Sequence, residues 1–354
     1  MTDDLTDVLR EQVREAGHAG TALRIRGHDS KAFYGEPVDG KPLDLSAHRG
    51  IVDYEPTELV LTARAGTPLA EIEALLAEKG QVLAFEAPRF DGRGTLGGAV
   101  ASGLAGPRRP WGGAPRDLIL GVRLLDGRGQ VLRVGGQVMK NVAGYDVSRL
   151  MAGSLGTLGV LLEISLKVLP APIETRTLLL ELLREAALAR LRELARQPCP
   201  LSGACHLDGR LYLRLSGAHA SVDAWAQRIG GEVPAPGNTF WEHLRDQRLD
   251  FFERPGQTLW RLSLAPATPR LACERDSLLD WAGAQRWVFT DHPAEAIREQ
   301  VAAYDGHAEI FHRGEGETAP FQVLSPILVM LHRRIKERFD PAGILNPGRL
   351  GAVC

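Results

Sequence analysis

Apolar positions in this chain follow two rhythms, and the switches between them mark out its elements. Leu5, Val8, Leu9 and Val13 recur every three or four residues and predict a helix over residues 1–20, closed by Gly17. Ala22–Arg26 reads as a short strand running into the polar loop Gly27–Lys31. Ile51–Tyr54 and Leu59–Ala65 read as strands with Pro56 between them. Thr67-Pro68 has the form of an N-cap followed by proline at the first helical position. Leu69, Ile72, Leu75 and Leu76 then form a helical face that Gly80 can end. Residues 88–117 are crowded with Gly, Pro and Arg and hold no long periodic segment. Leu118–Leu125 and Gln130–Val134 flank an Asp126-Gly127 turn, a hairpin signal. In Val160–Leu169, Leu162, Ile164, Leu166 and Val168 alternate with Glu163, Ser165 and Lys167, as in a half-buried strand.

The pattern restarts after Pro170-Ala171-Pro172. A strand over 177–183, a helix over 184–196, a hairpin 203–207/211–215 around Asp208-Gly209 and a helix over 220–229 form one set. A second set has a helix over 239–252, strands over 258–264 and 285–290, a helix over 293–303 and a strand over 307–312. Such sets predict a small α+β layer, a sheet backed by helices. Ser325-Pro326 opens a last helix to Phe339, basic in its final turns as the helix dipole favours. Three parts are expected: 1–170, 171–322 and 323–354.

Composition narrows the classes. With 354 residues the chain can bury two cores, and 42 basic against 44 acidic residues give a formal net charge of −2. Nothing in that balance points to nucleic acid or an anionic membrane. The four cysteines, Cys199, Cys205, Cys273 and Cys354, contain no C-x-x-C pair and no zinc or iron–sulfur spacing, so reduced thiols and no metal are expected. Met1–Arg10 is acidic without the apolar stretch of a signal peptide, and no apolar run approaches about 18 residues. A cytoplasmic chain is expected.

The 39 glycines matter by where they cluster. Three segments combine structure with a glycine-rich or polar loop: Arg26-Gly27-His28-Asp29-Ser30-Lys31, Thr95-Leu96-Gly97-Gly98 through Ser102, and Gly153-Ser154-Leu155-Gly156-Thr157-Leu158-Gly159. Glycine lets the backbone approach a ligand, and successive free N–H groups make a concavity for an anion such as a pyrophosphate. Each segment alone is as good a turn as a ligand contact. The third is G-x-x-G-x-x-G rather than G-x-G-x-x-G, so the Rossmann fingerprint is absent, as is the Walker spacing.

In this order the three segments resemble the FAD-binding domain of the vanillyl-alcohol oxidase, or p-cresol methylhydroxylase (PCMH), superfamily. The tail Phe339–Gly348, with Asp340-Pro341 and Leu345-Asn346-Pro347-Gly348, resembles the end of its 2-hydroxyacid-oxidising branch. Met139–Leu150 resembles the bacterial glycolate oxidase flavoprotein subunits, and the short length is most similar to the E subunit. The resemblance implies an α+β fold: a two-subdomain PCMH-type FAD-binding domain over 1–170, a smaller α+β cap domain over 171–322, and a C-terminal helix and tail over 323–354 returning to the FAD domain. It implies one FAD. Backbone amides of Gly27, His28, Asp29 and Ser30 would face the pyrophosphate; Thr95, Gly97, Gly98 and Ser102 would meet the pyrophosphate and flavin side; Gly153, Gly156, Thr157, Gly159 and Val160 would border the ribose and adenine; Arg26, Lys31 and Leu96 would also belong to the cofactor site. Lys140, Tyr145 and Asp146 would lie near the flavin, Pro88, Arg109 and Arg116 in a covering loop, and Asn346 in the tail. Lys140 is equally readable as a surface charge, and the two arginines as loop anchors.

Two departures qualify the resemblance. Members with covalent FAD usually carry a histidine just before the serine of the first loop; Asp29 stands there, so non-covalent FAD is expected. Catalytic members carry a G-E-H-G motif, whereas Arg313-Gly314-Glu315-Gly316-Glu317 has Gly316 in the histidine's place, with His307 and His312 nearby. No catalytic residue is therefore assigned. The implied role is an accessory FAD subunit of a complex that oxidises glycolate or D-lactate to the 2-oxoacid, with a flavoprotein D subunit and an iron–sulfur F subunit, inactive in isolation. The alternatives are a stand-alone FAD-dependent 2-hydroxyacid dehydrogenase and a non-redox scaffold. Trp225, Trp241, Phe251, Phe252, Trp260, Trp281 and Trp287 either fill the middle domain's core or, with the C-terminal helix, face partners.

Overall fold

The structure, a computed structural model, describes residues 4–136, 146–234, 237–316 and 318–351. The chain divides into two compact units. The first comprises 1–105, 113–171 and 323–354; the second comprises 106–112 and 172–322. The stretch 106–112 thus groups with the second unit. Trp281 Nε1 donates to the Gly106 carbonyl at 3.0 Å, and the Arg109 guanidinium lies over the Trp281 ring at 4.5 Å.

The first unit is organised by a five-stranded antiparallel sheet in the order Ile51–Glu55, Val60–Arg64, Val160–Lys167, Ile119–Leu125, Val131–Gly135. Its alternation places Leu162, Ile164 and Leu166 in the core with no exposed surface. Beside it Leu23–Arg26 pairs in parallel with Lys41–Asp44. The second of these strands escapes the sequence pattern because Lys41 and Pro42 are exposed and only Leu43 is anchored.

The first helix, Thr6–Ala19, outruns Gly17 and ends at left-handed Gly20, while Leu9, Val13 and Ala16 are buried. Leu69–Glu78 is capped by Pro68 rather than Thr67, whose buried hydroxyl accepts a hydrogen bond from the Gly50 amide. A helix also forms inside the segment that shows no periodicity. Leu96–Ser102 is capped by Thr95, whose Oγ1 accepts from the Gly98 amide, and ended by Gly103 at φ 65°. Seven residues are too few to display a helical period, so the caps carry the signal.

The last helix, Pro326–Phe339, belongs to the first unit. Its buried Lys336 donates to the carbonyls of Thr157 and Leu345 and to the Asp340 carboxylate, each at 2.7 Å. All three ammonium hydrogens are therefore used, which is what makes a buried lysine tolerable. Its first two turns leave Ile327, Leu328, Met330 and Leu331 exposed.

The second unit is a seven-stranded sheet in the order Glu174–Glu181, Arg210–Gly217, Leu201–Leu207, Asp276–Asp280, Gln285–Phe289, Leu259–Ser263, His307–His312. A single bridge, His206 to Leu279, joins its two halves. Asp276–Asp280 is absent from the sequence reading because it has three central apolar or small residues between two aspartates. The core holds a charged triad: Glu274 and Arg286 are fully buried and Arg184 is 9% exposed. Glu274 pairs with both arginines, and the Arg286 guanidinium also donates to the carbonyls of Thr268, Pro269 and Gly283. Trp241, Phe251, Trp260, Trp281 and Trp287 are all buried, so these aromatics fill the unit rather than facing a partner.

Candidate functional site

The three glycine-bearing segments meet in the first unit around one groove of about 400 Å³, within the range of small-molecule sites. The strand Leu23–Arg26 delivers the loop Gly27–Lys31 to its rim. The main-chain N–H groups of Gly27, His28, Asp29 and Ser30 have no acceptor among the described residues. Asp29 takes a left-handed φ of 54°, and its carboxylate accepts from Arg24 and Arg26 at 3.2 and 3.3 Å. His28 is fixed by its Nδ1 against the Arg93 carbonyl at 3.1 Å. Side chains thus tie the loop down and leave its amides to a ligand, the form of an anion nest.

The second segment backs this loop closely. A Cβ on Gly27 would fall 2.8 Å from Thr95 Oγ1, and one on Gly97 2.7 Å from the Ala65 Cβ. The Gly97 amide donates to the Ala65 carbonyl at 2.7 Å, so this glycine joins the helix Leu96–Ser102 to the strand Val60–Arg64 rather than offering its N–H to the groove. Gly98 and Ser102 line the groove, with the Ser102 hydroxyl donating to the Ala99 carbonyl at 3.2 Å. An inner compartment of about 80 Å³ continues past Leu45, Ala65 and Leu161 to Gly156 and Gly159.

Asn346 stitches the rim together. Its Oδ1 accepts from the Ile25 amide and its Nδ2 donates to the Leu155 carbonyl, both at 2.7 Å, so the tail bridges the first and third segments. A Cβ on Gly156 would fall 2.7 Å from Asn346 Nδ2. Arg349, which the sequence reading passes over, also lines the groove. With Arg24, Arg26 and Lys31 it puts four cations on a wall whose one lining carboxylate is Asp29, Arg26 being paired also with Asp44 at 2.7 Å, a wall suited to a multiply charged anion.

Several expected contacts lie elsewhere. Leu96, Thr157 and Val160 have no exposed surface; Thr157 Oγ1 donates to the Ser154 carbonyl, and Val160 belongs to the central strand. Gly153, at φ 84°, gives its amide to the Val100 carbonyl and is not among the lining residues. Pro88 is buried and Arg116 exposed, neither on the groove, and Arg109 is in the second unit. Asp146 caps Val147–Leu150 by accepting from the Arg149 amide and the Ser148 hydroxyl. Lys140 and Tyr145 lie outside the described residues.

His312 and His307 are in the second unit. His312 is half-buried, packs edge-on against Phe311, and pairs through Nε2 with Gln247 Oε1 at 2.8 Å. Burial pushes its pKa down to about 4 and also lowers that of His307. Both imidazoles are therefore neutral at pH 7. Gly316, at φ 123°, has nothing within 4 Å of where a Cβ would stand. No group of three or more metal-ligating side chains occurs among the described residues.

These histidines carry a pH prediction. An unfolded imidazole takes its proton near 6.5 and the buried one only near 4, so acid favours unfolding. Stability should be full above pH 6.5 and fall steadily towards pH 4, by up to about 3 kcal/mol for His312 alone. All six tryptophans lie in the second unit, so their emission in urea titrations reports this loss locally. A urea midpoint that does not move between pH 7 and pH 4.5 would contradict it.

Comparison with known proteins gives a consistent pattern. The model of the FAD-binding domain family matches residues 5–135, and that of the C-terminal domain of FAD-linked oxidases matches 322–350. The glycolate oxidase subunit GlcE of Escherichia coli is 48% identical over 349 residues, covering 99% of this chain and 98% of that protein. The glycolate oxidase subunit GlcD of Bacillus subtilis is 31% identical over 144 residues, 40% of this chain and 30% of its own. Among solved structures, an alkyldihydroxyacetonephosphate synthase superposes with a TM-score of 0.68 at 17% identity, over 96% of this chain and 74% of the other, which shows the shared fold.

Proposed function

The chain belongs to the FAD-linked oxidases, within the family of bacterial glycolate oxidase E subunits, and from that premise we propose that it is an accessory FAD subunit of a glycolate-oxidising complex. The observation that carries the cofactor site is the cradle of four acceptor-less amides, Gly27 to Ser30, beneath a cationic wall. These amides would take the pyrophosphate oxygens, with Arg24, Arg26, Lys31 and Arg349 balancing the charge. Gly98, Ser102, Gly156 and Gly159 would let the rest of FAD lie against the backbone. Bound FAD supplies a hydride acceptor and a carrier that hands electrons on.

The accessory role rests on what the residues offer a proton. Oxidising a 2-hydroxyacid needs a base for the hydroxyl proton. Gly316 stands in place of the family's histidine, Asp29 is committed to two ion pairs, and His312 to Gln247. The complex would supply the base through the D subunit and the electron outlet through an iron–sulfur F subunit. The exposed apolar turn Ile327–Leu331 is compatible with such assembly. No helix among the described residues is long and apolar enough to cross a membrane.

The isolated chain should be yellow, and acid should release all of its flavin as FAD; flavin retained on the denatured polypeptide would refute non-covalent attachment. Rapid mixing with glycolate or D-lactate should leave the absorbance of the isolated subunit unchanged, and tagged D or F subunit should recover it from co-expression. Rapid bleaching would make it a dehydrogenase in its own right, and a chain that never associates would end the accessory reading.

A further inference from the structure

The first loop is held from outside by a residue of the tail. Arg349 Nη2 donates to the carbonyls of Lys31 and Ala32 at 3.2 and 3.0 Å, and Nη1 donates to the Glu36 carbonyl at 2.8 Å. The Arg349 carbonyl in turn accepts from the Glu36 amide at 3.0 Å. Four hydrogen bonds therefore bind residue 349 to the segment 31–36, some 315 positions away in sequence. The same tail grips the strand before the loop, through Asn346 and the Ile25 amide.

The loop with the free amides is thus pinned at both ends by one short stretch of chain. A guanidinium fork suits this task because its N–H groups diverge in a fixed plane, so it can reach carbonyls on two sides at once. Carbonyls drawn towards Arg349 leave the intervening N–H groups of 27–30 without internal partners. An anion nest needs that state, and a flexible loop would lose it by turning its amides to one another.

We propose that Arg349 is a positioning residue for FAD: the tail acts as a clasp that sets the pyrophosphate cradle, and the loop and tail order together. This rests on the placement of the pyrophosphate at Gly27–Ser30 given above. The clasp predicts that losing Arg349 weakens every ligand that uses the pyrophosphate and spares one that lacks it.

The test is titration of FAD, ADP and riboflavin into the deflavinated full-length chain. Arg349→Ala should raise the Kd of both FAD and ADP by a similar factor, on the order of tenfold or more, since charge-assisted hydrogen bonds are lost. Riboflavin binding and the thermal transition of the whole chain, read by far-ultraviolet circular dichroism, should change little. Arg349→Lys should recover only part of the affinity, because a point charge cannot span the three carbonyls; full recovery by lysine would show that bare charge on the ligand suffices and would overturn the clasp. Equal loss of riboflavin would also overturn it. Gly35→Ala is the independent perturbation if Arg349→Ala does not fold. Its Cβ would fall 3.0 Å from the Arg349 carbonyl, at a glycine of φ 88°, wedging tail from loop with all charges kept. It should weaken FAD and ADP alike, and unchanged affinity there would sink the proposal. A wild-type chain that binds FAD but not ADP would instead fault the pyrophosphate placement beneath it.

Discussion

Gly97→Val abolishes FAD binding: that is the expected result, and the structure changes the reason for it. A pyrophosphate-facing glycine would fail because the new side chain meets the ligand. Here the new atoms meet protein, since the Cβ alone would stand 2.7 Å from the Ala65 Cβ and 3.0 Å from the Ala65 carbonyl. The helix Leu96–Ser102 must then leave the strand, taking with it Thr95, against which Gly27 is packed, and Gly98 on the groove wall. Overpacking of this kind costs about 1–3 kcal/mol or more. The first unit should be destabilised as well as colourless, whereas tryptophan emission, which comes only from the second unit, should report an unfolding midpoint close to wild type. A Gly97→Val protein that remains yellow would show that the strand and helix can part without disturbing the groove.

The second large effect is in the other unit. Glu274→Ala should cost about 3–5 kcal/mol, because it strands the buried guanidiniums of Arg286 and Arg184 with no counter-charge. Arg286 keeps its three carbonyl acceptors but not its charge partner. The double variant Glu274→Ala, Arg286→Met should recover much of the loss, since removing both charges avoids the desolvation that makes a lone one costly. Urea unfolding followed by tryptophan emission measures both. A single variant within about 0.5 kcal/mol of wild type would mean that water reaches the triad.

The sequence displays the frame of the molecule better than its site. The alternation in Val160–Lys167 and the period in Leu69–Glu78 are direct prints of burial on one face, so both read correctly. The two compact units divide between Ala171 and Pro172. Short elements are a different matter. Lys41–Asp44 and Asp276–Asp280 have too few apolar positions to show a period, and Leu96–Ser102 is recognisable only by Thr95 and Gly103 at its ends. At the groove, the glycine clusters disclose that backbone comes close to something, but not to what. Gly98 lines the groove and Gly156 its inner compartment, whereas the Gly97 amide is spent on the Ala65 carbonyl and Gly153 serves a turn. Arg349 is illegible for another reason. Its partners are the carbonyls of 31, 32 and 36, and a carbonyl leaves no mark on residue identity.

The bond between the Ile25 amide and Asn346 closes over 321 residues. On the ribosome, at roughly 5–20 residues per second, the strand waits roughly 15 to 60 seconds for its partner to be made. The second unit's main segment, 172–322, is synthesised within that interval and can pack without the tail. The first unit cannot: until the helix carrying Lys336 and the turn at Asn346 emerge, Leu23 lacks its backbone partners at Ile344 and Asn346 and the cradle has no clasp. On the clasp proposed above, the cradle is complete only once residue 349 has been made, and a chain lacking residues 343–354 should keep most of the groove lining and yet bind FAD weakly.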